Sequence, residues 1–496
     1  MQRENSLDRL DRQWDLIVVG GGIVGAGIFR EAAGKGLSCL LVERHDFAWG
    51  TSSRSGKLVH GGLRYLRQGQ IRTTFHSVRE RQKMLEEYRN LVRPLDFYLP
   101  IRKGDRIGSL LTAVGLTVYD AMAGRRNSRK LNRDSLIAQI PELHSDRISG
   151  GYLYRDAVTD DARLVLQIVK EGVHLGGTAL NYATAQDLLR QRNGKVVGIV
   201  LQDGISRSVH EIRSRATVNA TGAWTDNLRK KIGQNTPIRK LRGSHLILPR
   251  DKLPIRAAVA MTHPADGRAL YAFPWKGHTL VGTTDLDHQE RQNREPRITR
   301  EEGEYLFQAV HHWFSTAKPG PSDVVATFAG IRPVLHTGKK DPSKESRDHA
   351  IWSDNGLITV TGGKLTTFAR IARDVLRRAA GYLEYRAHAP SRKVPQDTLW
   401  EPCCLTDDNL AVDRERPLRE LCRSAREEWV VHLEDLLLRR TRIGLLTRNG
   451  AFSFLNEIRE AVAPSLPWDD IRWQKEIESY KTKWRQTYSP DPLRWS

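Results

Sequence analysis

Asp15-Leu-Ile-Val-Val-Gly20-Gly-Gly22-Ile-Val-Gly25-Ala-Gly27, then a helix-compatible stretch, then Ser38-Cys-Leu-Leu-Val-Glu43 is the stretch that decides the fold. An apolar strand runs straight into Gly-x-Gly-x-x-Gly, and a second apolar strand ends on an acid. That order is a complete βαβ unit for an adenine dinucleotide. Gly20 permits the tight turn, Gly22 lets backbone approach a pyrophosphate, and Gly25 lets the helix pack on the strand. Free N–H groups and the dipole at the helix start favour the phosphates there. Glu43, 18 residues past Gly25, stands near where an acid takes the ribose hydroxyls. A lone glycine triplet serves any strand-to-helix turn, but two strands and a terminal acid around it point to a bound dinucleotide.

Two further glycine turns follow apolar strands: Val218-Asn219-Ala220-Thr221-Gly222-Ala223-Trp224, and Leu357 to Thr361 leading into Gly362-Gly363-Lys364. NAD sites usually need only the first unit. Three turns converging on one ligand suit FAD, whose flavin end must also be held. The expected fold is therefore α/β, with a Rossmann-like FAD-binding domain formed by residues 1–235 and completed by 326–388. A strand-rich block, 236–325, is inserted as an antiparallel substrate-facing sheet, with turns at Pro254, Asp266-Gly267 and Lys276-Gly277. Prolines 390 and 395 mark a linker, and 396–496 reads as a separate helical domain, with helices at 418–428, 433–443 and 453–463. Residues 50–65 are too rich in Gly and Ser for a regular element and read as a functional loop. Helices are expected over 72–93, from Asp160-Asp161 onward with the Asp pair as cap, over 300–314 with a Thr299/Glu302 capping box, and from Phe368 to about Leu383.

The 496 residues, 39% apolar and 28% charged, are those of a soluble protein of two or three domains. Cys39, Cys403, Cys404 and Cys422 show neither metal-ligand spacing nor a disulfide framework, so no metal is expected and the chain suits a reducing compartment. The charged N-terminus lacks the apolar core of a signal peptide, and no run reaches the length needed to span a bilayer. A net charge of +21 attracts nucleic acid, anionic lipid headgroups or phosphorylated metabolites. The weakly polar stretch Ile107 to Met122 is bracketed by Arg102, Lys103 and Arg106 before it and Arg125, Arg126, Arg129 and Lys130 after it. It reads either as a segment lying on an anionic membrane surface or as an ordinary core helix. The basic stretches lack interleaved aromatics, so no nucleic-acid partner is expected.

The order of the first glycine motif, Thr51-Ser52-Ser53, Lys57-Leu-Val-His60-Gly61-Gly62-Leu63-Arg64-Tyr65-Leu66, Asp160-Asp161-Ala-Arg163-Leu164 and Asn219 to Trp224 resembles FAD-dependent glycerol-3-phosphate dehydrogenases. Gly243-Ser244-His245, Gly282-Thr-Thr-Asp285, Gly330-Ile-Arg332-Pro333, Ser346-Arg347-Asp348 and Gly362 to Thr367 extend the resemblance in unbroken order to about residue 375. Beyond it the likeness rests mainly on Leu436-Leu-Leu-Arg439-Arg440-Thr-Arg442. The resemblance implies a D-amino-acid-oxidase-like flavoprotein that oxidises sn-glycerol 3-phosphate to dihydroxyacetone phosphate and passes electrons to a membrane quinone. It implies a cytoplasmic protein held peripherally on the inner membrane, with a homodimer as a possible assembly. The chain has no room for the mid-chain insertion typical of the family's oxidases, and no calcium-binding loop of the mitochondrial kind follows.

The same resemblance implies a cofactor set of Gly20, Gly22, Gly25, Glu43, Thr51, Ser52, Ser53, His60, Gly61, Gly62, Thr221, Gly222, Gly330, Gly363, Lys364, Leu365 and Thr366. For the substrate's phosphate, Arg64 and Arg332 offer planar forks that pair with two oxygens, with Tyr65 and Thr366 as neutral partners. His245 is the candidate base, although a histidine after Gly-Ser is more often structural. Lys364 would stabilise charge near the flavin or a developing oxyanion, and Arg332 is counted with both as catalytic. His60 either lies against the flavin or only shapes a tight loop. A flavin oxidase of an amine or amino acid is the rival within the fold, and the concentration of cations argues against it. A flavoprotein that binds RNA is the rival from another class.

Overall fold

The computed structural model describes residues 2–67, 69–288, 295–336, 338, 345, 348–383, 391, 392, 394 and 415–493. Ser346, Arg347, Pro390, Pro395, Cys403 and Cys404 lie outside the described residues, and so does the side chain of Arg64.

The first sheet is built on the glycine strand. Its order is His349–Asp354, Leu357–Gly362, Val209–Asn219, Trp14–Val19, Cys39–Val42 and Thr178–Leu180, with Ala183–Arg190 and Val196–Asp203 extending it beside Val209–Asn219. Trp14–Val19 pairs in parallel with both Cys39–Val42 and Val209–Asn219, and the latter pairs in parallel with Leu357–Gly362. These strands are buried along their length, as strands covered on both faces must be. The helices Ile23–Gly34, Asp161–His174 and Phe368–Leu383 supply one cover and share its core with the sheet. The Asp160 side chain caps the second of these, accepting from Arg163 N.

The second sheet has ten strands and is largely antiparallel. Ile238–Pro249 lies between His278–Gly282 and Ala326–Leu335, and the sheet continues through Ala269–Trp275 and Ala258–Thr262. It also recruits Val92–Arg102 and Ile148–Thr159 from far upstream of residue 236. The helix expected over 72–93 stops at Glu87, and a strand starts at Val92. Asn90 and Pro94 oppose helix there, and Leu95, Phe97 and Tyr98 have side chains that pack on a pleated surface. The helix Arg300–Trp313 carries the full Thr299/Glu302 capping box.

Helix Arg106–Ala123 has one buried face and one exposed apolar face. Leu116 and Tyr119 are buried, while Leu110, Leu111, Val114 and Val118 form an exposed stripe on the other side. Exposed Lys103, Arg125, Arg126, Arg129 and Lys130 flank that stripe.

The C-terminal region holds Glu415–Glu427, a single π-helical turn at Asp435–Arg440, and Leu455–Val462, and it adds an unforeseen helix, Asp470–Thr487. It docks through buried charge. Arg439 and Arg440 both pair with Asp46, Arg442 pairs with Asp160 and Asp161, and Arg163 grips Glu428 with two bonds of 2.5 and 2.9 Å. Burial raises the carboxyls of Asp46, Asp160 and Glu428, but Arg440, Arg442 and Arg163 respectively outweigh it and hold them below the usual range. Removing one partner of such a pair strands a buried charge, which costs about 3–5 kcal/mol.

Candidate active site

The three glycine turns leave adjacent parallel strands at one edge of the first sheet, where dinucleotides bind in folds of this kind. Gly20 has φ +113°, and a Cβ there would lie 2.6 Å from the Ala220 carbonyl oxygen, so the first two turns touch. A Cβ at Gly25 would fall 1.8 Å from the Gly20 carbonyl oxygen, which is why only glycine lets helix meet strand here. The Gly222 carbonyl accepts from Thr361 Oγ1 at 3.1 Å, joining the second turn to the third, while Thr221 Oγ1 donates to Asn219.

The helix N-terminus is ready for an anion. Ser52 Oγ accepts from Ile23 N at 2.9 Å and lies 3.0 Å from where a Gly22 Cβ would sit. Glu43 directly follows strand Cys39–Val42, its carboxylate accepting from Gly21 N at 2.7 Å and His45 N at 2.8 Å. Thr51 Oγ1 donates to the Ile331 carbonyl, and the Arg54 carbonyl occupies the space a Gly330 Cβ would need. Ser53 is buried, and its carbonyl accepts from Lys57 Nζ at 2.8 Å. These groups fit a dinucleotide: a helix start with its hydroxyl neighbour Ser52, a carboxylate at the end of the next strand, and glycines wherever backbone must approach closely.

Around the expected flavin end two clusters form. In one, Lys364 Nζ donates to Ser77 Oγ at 3.1 Å and stands 3.7 Å over the Tyr65 ring. Tyr65 stacks on His60, whose carbonyl accepts from Thr366 Oγ1 at 3.5 Å. Lys364 sits at the start of a short 3-10 turn, Leu365–Thr367, that follows Gly363 at φ +76°. A cation at a helix start is unfavourable, and here the Tyr65 ring and Ser77 hold it.

The other cluster lies on one face of the second sheet. His245 pairs in register with Phe328, Gly243 with Gly330 and Leu241 with Arg332, so all six share a face. His245 is buried, stacks on Phe328 at 4.6 Å, and occupies the space a Gly282 side chain would take. Its Nδ1 has no hydrogen-bond partner among the described residues. Burial first, and then the charges of Lys57 and Arg332, hold the imidazole well below its ordinary pKa, so it is neutral at neutral pH. Gly243 makes room for Arg332: a Cβ there would lie 2.8 Å from Arg332 Nη2 and 2.5 Å from Thr283 Oγ1. Arg332 Nη1 is fixed by Asp285 at 2.7 Å and stays partly exposed.

Several residues that shape the site were not singled out from the sequence. Asp285 orients Arg332, and its place in the Gly282–Asp285 block was the available signal. Ser77 orients Lys364 from 287 positions away with no local signature. Lys57 is fully buried against Asp161 at 2.9 Å, and burial, opposed by Asp161, pushes its ammonium down to about 8.

Comparison with known proteins agrees with this geometry. The family model described as FAD dependent oxidoreductase matches residues 15–375, and one described as the C-terminal domain of alpha-glycerophosphate oxidase matches 406–473. An aerobic glycerol-3-phosphate dehydrogenase of Bacillus subtilis is 37% identical over 383 residues, covering 76% of this chain and 68% of that protein. The structure of a glycerol-3-phosphate dehydrogenase from Bacillus halodurans complexed with FAD superposes with a TM-score of 0.77 at 27% identity, over 100% of this chain and 99% of that one. The L-alpha-glycerophosphate oxidase of Mycoplasma pneumoniae with FAD bound shares the fold, with a TM-score of 0.62 at 16% identity over 77% of this chain and 97% of that one. No helix among the described residues is long and apolar enough to cross a membrane. The chain therefore belongs to the FAD dependent oxidoreductase family and, within it, stands with the aerobic glycerol-3-phosphate dehydrogenases.

Proposed function

We propose that the chain oxidises sn-glycerol 3-phosphate to dihydroxyacetone phosphate. The observation that carries this reading is the shared face of His245 and Arg332, where a neutral imidazole whose Nδ1 has no partner among the described residues and an aspartate-fixed guanidinium flank a glycine pair. FAD, when bound, supplies acceptance of the hydride from carbon 2 and delivery of its electrons to a quinone. Gly20, Gly22, Gly25, Glu43, Ser52 and Gly222 would hold its dinucleotide end. His60, Gly61, Gly62, Gly330 and the Gly363–Thr366 turn would hold its flavin end.

Arg332 binds the phosphate dianion, joined by Arg64, with Tyr65 and Thr366 as neutral partners. His245 takes the proton from the substrate hydroxyl, and neutrality at working pH is the state that can do so. The imidazolium it becomes is disfavoured by burial and then by Lys57 and Arg332, and the bound phosphate brings compensating negative charge. Lys364, held by Ser77, stabilises negative charge that develops as the proton leaves. The first sheet and its covering helices supply the cofactor side in this reading, and the second sheet, which takes Val92–Arg102, Ile148–Thr159 and Ala326–Leu335 from outside 236–325, supplies the substrate side.

A quinone acceptor requires access to a bilayer, and helix Arg106–Ala123 offers the docking surface. Its exposed leucine and valine stripe enters the headgroup boundary while the flanking arginines and lysines meet anionic lipid. Dye-coupled turnover tests the assignment. Sn-glycerol 3-phosphate should be oxidised, with glycerol, glycine and proline inert. Turnover of an amino acid in preference to the phosphoester would overturn it.

A further inference from the structure

Lys57 is fully buried, a position that an ammonium accepts only when it is paired. Its Nζ donates to the Ser53 carbonyl at 2.8 Å and to both oxygens of Asp161 at 2.9 Å. Asp161 is well satisfied without it. That carboxylate also accepts from Ser55 N at 2.9 Å and Ser55 Oγ at 2.7 Å, and it pairs with Arg442. The backbone of Lys57 takes φ +56°, a left-handed conformation that residues other than glycine hold only where their surroundings fix it. A buried second cation in a strained backbone asks for a role beyond the ion pair.

That role lies on the side of His245. Lys57 Nζ stands 4.5 Å from the centre of the Phe328 ring and 5.4 Å from that of Trp275. His245 stacks on the same Phe328 ring, with centroids 4.6 Å apart and planes 13° from parallel. The residue before Lys57 borders the imidazole as well: a Cβ at Gly56 would lie 3.5 Å from His245 Nε2. The charges that act on His245 are Lys57 from this loop and Arg332 from strand Ala326–Leu335. Asp161 and Asp285 anchor those two cations, and Arg442, Asp160 and Lys276 extend the network behind Asp161. Strand His278–Gly282 meets His245 with Gly282 and carries no carboxylate. Glu302 is taken up by the neighbouring Ser244, whose Oγ donates to it at 2.9 Å. Two cations therefore keep a proton off the imidazole until substrate arrives.

We propose that Lys57 is a positioning residue for the reaction: anchored by Asp161, its buried ammonium acts with the Phe328 ring to hold His245 ready for the proton of the substrate hydroxyl. This rests on the reading of His245 as the base. Lys57→Met keeps an unbranched stem in the same space and removes only the charge.

The test follows single-turnover flavin reduction by sn-glycerol 3-phosphate between about pH 5 and about pH 9. It compares FAD-loaded wild type, Lys57→Met, His245→Asn and the double variant Lys57→Met/His245→Asn, with flavin absorbance reading cofactor content. Wild type should show no acid limb from His245 in this range. Lys57→Met should gain one, raised by about one pH unit, the effect of a unit charge at such a separation inside a protein. The double variant should lose that limb. A Lys57→Met profile that overlays wild type overturns the inference and leaves His245 standing as the base. So does a limb that persists in the double variant, or a wild-type limb near pH 6.5 that His245→Asn removes. His245→Asn that reduces flavin at the wild-type rate overturns the base, and the inference with it. Should Lys57→Met not retain FAD, Lys57→Met/Asp161→Asn carries the comparison, because it removes both partners and leaves Arg442 its bond to Asp160. A gained limb there supports the inference, and a wild-type profile ends it.

Discussion

Replacing Leu110 and Leu111 together by serine tests the docking surface with little risk to the fold. Leu110 is 67% exposed and Leu111 61%, so neither contributes much to the core. Exposed substitutions of this kind usually change stability by no more than about 0.5 kcal/mol. Fully burying a leucine side chain is worth about 1.5–3 kcal/mol. Roughly two thirds of that is available to a bilayer at each position, so the pair contributes about 3 kcal/mol. At about 1.4 kcal/mol per decade, the double variant should partition about 100-fold less onto vesicles rich in phosphatidylglycerol. Lys103, Arg125, Arg126, Arg129 and Lys130 are untouched, so the residual binding should be the salt-sensitive part and should fade above about 0.1 M salt. Sedimentation across a lipid titration reads the partition coefficient, and dye-coupled turnover without lipid confirms an intact site. Partitioning equal to wild type at every salt concentration would refute the assignment of this face to the membrane.

Arg332→Ala should raise KM for sn-glycerol 3-phosphate by about two orders of magnitude, the loss of about 3 kcal/mol of charge-assisted bonding, while FAD content stays at the wild-type level. Normal KM with lost flavin would move Arg332 out of the substrate site. His245→Asn should slow flavin reduction in single-turnover mixing by about 100-fold or more, and an unchanged rate would remove it from the mechanism. Because burial, Lys57 and Arg332 hold the His245 imidazole well below its ordinary range, kcat/KM should show no limb from this group near pH 6.5 as pH falls. A limb there that vanishes in His245→Asn would contradict its neutrality. The docking of the C-terminal region should be acid-labile. Asp46, Asp160 and Glu428 are held below their unfolded values, so their contribution is complete above about pH 4.5 and lost as pH falls below that. Asp435, raised by burial and by Asp46, opposes this only in part. Limited proteolysis should therefore release the C-terminal region in acid and spare it at pH 6. Release that grows as pH rises from 6 to 8 would reverse the sign.

What could be read from residues alone was whatever local chemistry dictates. Gly20, Gly22 and Gly25 announce a tight turn, and the structure puts carbonyl oxygens where side chains at Gly20 and Gly25 would be and the Ser52 hydroxyl beside Gly22. Asp160 and the Thr299/Glu302 pair announce helix starts because a cap acts on its own next turn. Long-range partnerships left no such trace. Asp285 and Arg332 are 47 positions apart, and Ser77 and Lys364 are 287 apart, so neither pair is visible until the strands and helices are placed. Strand Val92–Arg102 was hidden because its charged and proline positions break the alternation, and its partner strand lies elsewhere in the chain. Arg439, Arg440 and Arg442 carried the likeness beyond residue 375, but nothing local in the sequence marked them as buried. A π-helical turn and buried aspartates make them the most enclosed cations of that region among the described residues. The segment from Ile107 to Met122 could not be assigned to core or surface from its composition, because its two faces do opposite things.

Anaerobic titration of the FAD-loaded protein with sn-glycerol 3-phosphate, followed at the flavin's long-wavelength absorbance band, tests the central claim most directly. One equivalent per bound flavin should bleach the band, while glycerol, glycine and proline leave it unchanged. A flavin that stays oxidised under sn-glycerol 3-phosphate, or that an amino acid bleaches instead, would contradict the account.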